Sequence, residues 1–290
     1  MKSDGIEKNR VLGGVLYVVA TPIGNLSDIS ERALKVLSAV DFIAAEDTRN
    51  SLRLLSHFNI SKPLVSYHEH NKREKGEEIV SRLLSGESCA LVTDAGTPAI
   101  SDPGEDLVRL CADNGIPVTS IPGACALITA LTLSGLPTAR FVFEGFLPVQ
   151  KKERRERLDL LACESRTFVL HEAPHKLRTT LDDLVRTLGS ERRISLCREL
   201  TKINEEVCRT TLGEAVKLYS EREPRGEYVL VVEGGPDNDV REKSELAGMS
   251  PEEAVAYFCA SGMSRNDAIK AAAKSLGVTR NRLYEMLIHN

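Results

Sequence analysis

Cys89-Ala90-Leu91-Val92-Thr93 runs directly into Asp94-Ala95-Gly96-Thr97-Pro98, an apolar run that ends in a polar loop bearing glycine and proline. Such a run, bounded by turn formers, reads as a buried strand. The unit recurs on either side. Apolar runs at 15–20, 42–45, 64–67 and 118–121 also read as strands, followed by Thr21-Pro22-Ile23-Gly24-Asn25, Glu46-Asp47-Thr48-Arg49, His68-Glu69-His70-Asn71 and Pro122-Gly123-Ala124. Stretches at 28–40, 77–84 and 105–112 repeat apolar residues at helical spacing. Asp28 and Glu31 are spaced like a capping box on the first, and Gly86 and Gly115 stand at helix-stop positions. Alternating strands and helices predict an α/β fold with a mostly parallel sheet. The carboxyl ends of such strands form the ligand crevice, so the five loops are expected to line one site.

A second α/β unit is expected beyond residue 137, with strands at 141–146, 167–170, 193–198, 205–211 and 227–232 and helices at 151–162, 174–188 and 212–221. The connection between 193–198 and 205–211 is too short for a helical crossover, which makes this sheet mixed or antiparallel. Ser250-Pro251-Glu252-Glu253 opens a third pattern with a cap and a proline at the first helical position. Its helices stop at Gly262 and Gly277, and a last one starts at Thr279, a helix-turn-helix-like tail. There Arg265, Lys270, Lys274, Arg280 and Arg282 outnumber Asp267 and Glu285, which suits phosphate contacts as well as it suits a tail that packs on its own domain. The expected division is a flexible tail at 1–14, domains at 15–137 and 138–236, a linker at 237–249 and the helical tail at 250–290.

The 290 residues suffice for two packed cores, and 28% charged residues with a formal charge of −4 leave any polyanion site to a local basic patch. Seven cysteines without a C-x-x-C pair suggest reduced thiols and a cytoplasmic setting. The longest uninterrupted apolar run, 124–134, falls short of the ~20 residues a bilayer requires, so no membrane span is expected. There is no G-x-x-x-x-G-K-[ST] for a nucleoside triphosphate and no G-x-G-x-x-G after the first strand for a dinucleotide. His171-Glu172-Ala173-Pro174-His175 matches a zinc motif in letters only. That motif requires one helix, whereas here an apolar strand runs into His171 and Pro174 suits the start of the next helix, so no metal is expected. His171 and Glu172, at a strand end, are instead candidates to face the interdomain crevice.

With these loops in place, the chain resembles the tetrapyrrole-methylase-like class of methyltransferases, and within it the ribosomal small-subunit methyltransferase I family. The residues that carry the likeness are 16–26, Ala44-Ala45-Glu46-Asp47-Thr48-Arg49, Asp94-Ala95-Gly96-Thr97-Pro98 with Ser101-Asp102-Pro103-Gly104, Glu144-Gly145-Phe146-Leu147-Pro148, Arg198-Glu199-Leu200-Thr201-Lys202 and Gly226-Glu227. Ala124 departs from the proline common after Pro122-Gly123, and His171 from the aromatic often found before Glu172. The resemblance implies a bilobal homodimer that binds S-adenosylmethionine between its lobes and methylates a cytidine 2′-oxygen in the decoding region of 16S rRNA, free or in the small ribosomal subunit. It implies cofactor contacts from Pro22, Asp94, Ala95, Gly96, Thr97, Cys125, Ala126 and Glu172.

Methyl transfer from a sulfonium is an in-line displacement in which alignment supplies much of the rate. A ribose hydroxyl gains from a base within hydrogen-bond reach, and Asp47 and Glu46 are the candidates, with Arg49 suited to a substrate phosphate. An Asp47–Arg49 pair that only braces its loop is an equal alternative. Lys151-Lys152-Glu153-Arg154-Arg155-Glu156-Arg157 is a basic run that either grips RNA or forms a solvated face. A small-molecule tetrapyrrole methylase and a non-catalytic RNA-binding adaptor are the rival functions. The Thr21–Asn25 loop differs from the Gly-Pro-Gly-Asp type of the former, and the intact Asp94–Pro98 loop speaks against the latter.

Overall fold

The computed structural model describes residues 10–236, 249–276, 278 and 280–288. Residues 1–9 of the expected N-terminal tail, 237–248 of the expected linker, and the helix-boundary residues Gly277 and Thr279 lie outside these. The first sheet comprises β1 (Leu16–Val19), β2 (Phe42–Ala45), β3 (Leu64–Ser66), β4 (Cys89–Val92) and β5 (Val118–Ile121). All its pairings are parallel, in the order β3-β2-β4-β1-β5. Leu16 pairs with Cys89 on one side and Val118 on the other.

Helices α1 (Glu31–Ala39), α2 (Thr48–His57), α3 (Lys72–Leu84) and α4 (Gly104–Asp113) complete the layers. Strand alternation sends Tyr17, Val19 and Ile43 to a core with Val36 and Leu37, and Leu16, Val18 and Phe42 to another with Ile79, Leu83 and Leu107. Because both faces of β1, β2 and β4 are covered, these three strands read as continuous apolar runs, while the edge strands β3 and β5 are only partly buried.

Three local expectations change. Asp28 does not cap α1: it ends a 3₁₀ turn (Leu26–Asp28) capped by Asn25, and Ser30 accepts from the Ala33 amide instead. Glu31 pairs with Lys35 at 2.8 Å. Helix α3 begins at Lys72, because its first turns are charged and the apolar period becomes visible only near Ile79. Helix α2 was not expected; it is short and amphipathic and buries only Ser51 and Leu55.

The second sheet contains β6 (Phe141–Gly145), β7 (Thr167–Glu172), β8 (Arg193–Arg198), β9 (Glu206–Thr211) and β10 (Tyr228–Val232), in the order β6-β7-β10-β8-β9. It is mixed: β6 and β7 are parallel and the other pairings antiparallel. Helices α6 (Lys151–Ala162), α7 (Leu177–Leu188) and α8 (Leu212–Glu221) contribute to the core around Phe168, Leu170, Leu196 and Leu230.

The opposite face of that sheet presents Val169, Cys197, Val229 and Val231 to α5 (Ala126–Leu133) through Leu127, Ala130 and Leu131. Helix α5 follows the last strand of the first sheet yet packs on the second. Ile23 and Cys125 join the same cluster, so the loop ends of the first sheet rest against the second.

The tail folds as α9 (Pro251–Ala260), α10 (Arg265–Ser275) and α11 (Arg280–Ile288) around Phe258, Ile269, Ala272 and Leu283. Ser250 and Glu253 form the expected capping box. Among the described residues, no helix is long and apolar enough to cross a membrane.

Candidate functional site

The loops after β1, β4 and β5 are bonded to one another. The Thr21 amide donates to the Gly96 carbonyl at 2.9 Å, and the Gly96 amide returns a bond to the Thr21 carbonyl at 3.0 Å. Thr97 Oγ1 donates to the Ala124 carbonyl at 3.0 Å. Gly96 has φ +86°, and a Cβ there would stand 3.2 Å from Ile23 Cγ2, so the crossing needs both the conformational freedom and the small size of glycine. Pro22 is buried beside this bridge, and Asp94 lies exposed at the turn.

Against these loops lies a cavity of about 500 Å³. Ile23, Ala95 and Ala126 line one side; Phe146, His171, Leu200 and Lys202 line the other. Cys125 caps α5 beside it without a side-chain bond, and its carbonyl accepts from Thr129 Oγ1 at 2.9 Å. The His171 ring meets Phe143 and Phe146 edge-on, at centroid distances of 5.1 and 5.6 Å. Its Nε2 is buried without a hydrogen-bond partner, and burial pushes its pKa below the usual histidine value, which favours neutral imidazole.

Strand β7 runs through Glu172 and Pro174 opens a 3₁₀ turn, so His171 and His175 do not share a helical face. Glu172 borders the cavity, but its side chain follows Phe168 and Leu170 to the far face of β7. There it accepts from the Ala173 amide at 2.9 Å and from Thr180 Oγ1. Lys202 bonds Glu199 at 3.0 Å and Glu227 at 2.8 Å at the rim, with its stem against Gly24.

Glu46 directly follows β2, near Asp94 and Asp102. Burial first, then these two carboxylates, raise its pKa above the ordinary value, against smaller opposing effects of the Asp94 amide and His68. Asp102 is held by amides from Ala99, Ile100 and Gly104 at 2.8–3.1 Å, in a loop where Ala99 and Ser101 adopt φ of +66° and +65°. Ser101 Oγ abuts Gly145 at the end of β6.

Asp47 has a different environment. It caps α2, accepting the Arg49 amide at 2.8 Å and the Arg49 guanidinium at 3.1 and 2.7 Å. The Arg49 side chain and then its amide hold the Asp47 carboxyl down at about 2.

Of the residues expected at the site, Ala95, Ala126 and Glu172 border the cavity, while Pro22, Gly96, Thr97 and Cys125 build the loops around it. Phe146, Leu200 and Lys202 were not singled out, although they fall in the stretches Glu144–Pro148 and Arg198–Lys202 that carry the resemblance.

Two α/β units meeting at a cavity built from strand-end loops define a methylase of the tetrapyrrole type, and the family model for Tetrapyrrole (Corrin/Porphyrin) Methylases matches residues 15–216. Uroporphyrin-III-C-methyltransferase from Thermus thermophilus shares the fold, with TM-score 0.54 and 20% identity over 76% of this chain and 94% of that one. Diphthine synthase does so with TM-score 0.56 and 14% identity over 76% and 89% of the two chains. Within the class, the chain belongs to the ribosomal RNA small subunit methyltransferase I family. The relative of that name from Synechocystis is 46% identical over 94% of this chain and 97% of its own. The one from Bacillus subtilis is 44% identical over 94% and 93%.

Proposed function

We propose that this protein uses S-adenosylmethionine to methylate 16S rRNA, free or within the small ribosomal subunit, at the ribose 2′-oxygen of a cytidine in the decoding region. The observation that carries the substrate class is near-full-length similarity to relatives named for methylating small-subunit ribosomal RNA. One of the solved structures sharing the fold, a uroporphyrin-III C-methyltransferase at TM-score 0.52, is a complex with S-adenosylhomocysteine.

The cavity suits that cofactor. Its volume lies within the range of about 300–1,000 Å³ usual for small-molecule sites. Gly96 admits close backbone approach, and His171 Nε2 is an unpartnered polar atom in the wall. Asp94, Ala95, Gly96 and Thr97, the turn at Cys125–Ala126, the loop at Pro22 and the backbone around Glu172 are the proposed holders.

When bound, S-adenosylmethionine supplies an electrophilic methyl group on a sulfonium. The chain's task is alignment, and loops tied to each other by main-chain bonds hold their geometry better than free ones. Glu46 is the proposed base for the ribose hydroxyl, because its carboxylate stands near those of Asp94 and Asp102 and, among the described residues, forms no ion pair. Asp47 braces the loop through Arg49, whose exposed guanidinium is the proposed donor to a substrate phosphate. Residues 15–137 and 138–236 are the proposed lobes, with α5 bridging them and 250–290 as an appended tail. A cytoplasmic homodimer completes the assignment, with light scattering as its check.

The test is methyl transfer from labelled cofactor to 16S rRNA, to small ribosomal subunits and to a tetrapyrrole, read side by side. Label in ribosomal 2′-O-methylcytidine is expected. Label in the tetrapyrrole alone, or in an RNA base, overturns the assignment.

A further inference from the structure

On the outer side of the turn that walls this cavity, α6 and α7 enclose a second hollow of about 850 Å³. It is larger than the first and lined by charge. Among the described residues, three of its cations, Lys151, Arg155 and Lys176, have no ion-pair partner. Arg186 reaches Asp183 only at 3.4 Å and is 75% exposed. The acids in the lining are Asp159 and Asp183, and Asp183 is engaged by Arg154.

The two hollows share walls. His175 lines both, and the β6–α6 connection gives Phe146 to the first and Pro148 and Val149 to the second. Phe146 is 58% exposed, with one edge of its ring against His171, in the connection that borders both hollows.

Cations gathered in a concavity focus a positive potential that a body of net charge −4 otherwise lacks. Spaced cations beside an exposed ring match a single nucleic-acid strand, with phosphates on the cations and a base on the ring. We propose that the α6–α7 groove binds backbone phosphates of the RNA strand flanking the methylated nucleotide, and that Phe146 stacks a base where that strand turns toward the cofactor cavity. This rests on the assignment as an RNA methyltransferase.

The groove divides the basic run 151–157 by role. Arg154 is held inward by Asp183, Thr180 and the Pro148 carbonyl. Arg157 pairs with the largely buried Glu144 at 3.3 Å. Lys152, 4.0 Å from Glu156, lies outside the lining, so Lys151 and Arg155 remain for the RNA, and Lys176 joins them from the β7–α7 turn.

The experiment compares full-length wild type with a Lys151→Ala, Arg155→Ala, Lys176→Ala triple variant and with Phe146→Ala, binding a 16S rRNA transcript across a salt series. Removing three phosphate contacts lowers the log–log salt slope by about 2, at roughly 0.7 per contact on a single strand. The triple variant should lose at least about tenfold in affinity at low salt, with melting temperature and cofactor affinity unchanged. Phe146→Ala should weaken binding about tenfold at an unaltered slope, as expected for one lost stacked base. A triple variant that binds with wild-type slope and affinity, while wild type methylates the transcript, overturns the groove alone. Wild type that neither binds nor methylates the transcript overturns both the groove and the function on which it rests.

Discussion

Arg154 on α6 and Asp183 on α7 pair at 2.7 Å with only 15% of either side chain exposed. The same guanidinium donates to Thr180 Oγ1 at 2.8 Å, and Thr180 donates to Glu172, which is 4% exposed. A continuous polar chain therefore crosses from the basic groove to β7, the strand that walls the cavity between the two sheets.

Removing one partner of a buried pair strands the other charge, at a cost of about 3–5 kcal/mol when burial is complete. The residual exposure here reduces that, and Arg154→Ala is expected to lose about 2–4 kcal/mol. Urea denaturation should show a lower midpoint at an unchanged slope. Loss below about 0.5 kcal/mol, the range of ordinary surface substitutions, would mean the chain carries no stability.

Glu46→Gln should lower turnover by about 10²–10⁴, the usual contribution of a positioned base, with cofactor affinity retained. The base works ionised, so the wild-type single-turnover rate should fall as pH drops through the raised Glu46 pKa, and the glutamine variant should lose that step. The stability sign runs the other way. A carboxyl whose pKa is raised on folding favours the fold when protonated and loses that contribution as pH rises through the folded-state value. At pH 7 Glu46→Gln should melt no lower than wild type.

Asp47 is held at about 2 by Arg49, so its contribution to stability is present above the ordinary carboxylate range and disappears as pH falls toward that value. Asparagine caps helices nearly as well as aspartate. Asp47→Asn should therefore change turnover far less than Glu46→Gln. The opposite ranking in parallel kinetics would make Asp47 the base.

Gly96→Ala forces a side chain into a left-handed conformation, a strain of roughly 1–2 kcal/mol, against Ile23. Thr97→Val removes the bond to the Ala124 carbonyl, worth about 1 kcal/mol. Cofactor binding should weaken by up to about thirtyfold for Gly96→Ala, as about 2 kcal/mol implies, and about fivefold for Thr97→Val, as about 1 kcal/mol implies, with little loss of helical circular dichroism. Unaltered affinity in both would detach the loop bridge from the cofactor.

The central strands of the first sheet were legible because strands covered on both faces leave uninterrupted apolar runs, as at 42–45, which matches β2 residue for residue, whereas edge strand β5 keeps apolar residues only at its ends, Val118 and Ile121. The first turns of α3 were not legible, since exposed charged turns carry no apolar period, and the short α2, with only Ser51 and Leu55 buried, was not expected despite its amphipathic pattern. Half of the site was legible as strand-end loops. His171, expected to face the crevice from its place at a strand end, does line the cavity, but the rest of that wall depends on α5 packing over Val169, Cys197 and Val229 of the second sheet, a long-range contact. No local pattern around Leu200 or Lys202 reports that contact. Nor did spacing separate Glu46 from Asp47, adjacent carboxylates distinguished only by burial against Asp94 on one side and the Arg49 brace on the other.

Titration calorimetry of S-adenosylmethionine into wild type and Ala126→Trp tests the central claim most directly, because a tryptophan there fills the cavity from the α5 side. Wild type should take up one cofactor per chain, and the variant, folded by circular dichroism, should take up none. Folded wild type without uptake, or a variant that binds as tightly as wild type, contradicts a cofactor held between the two sheets.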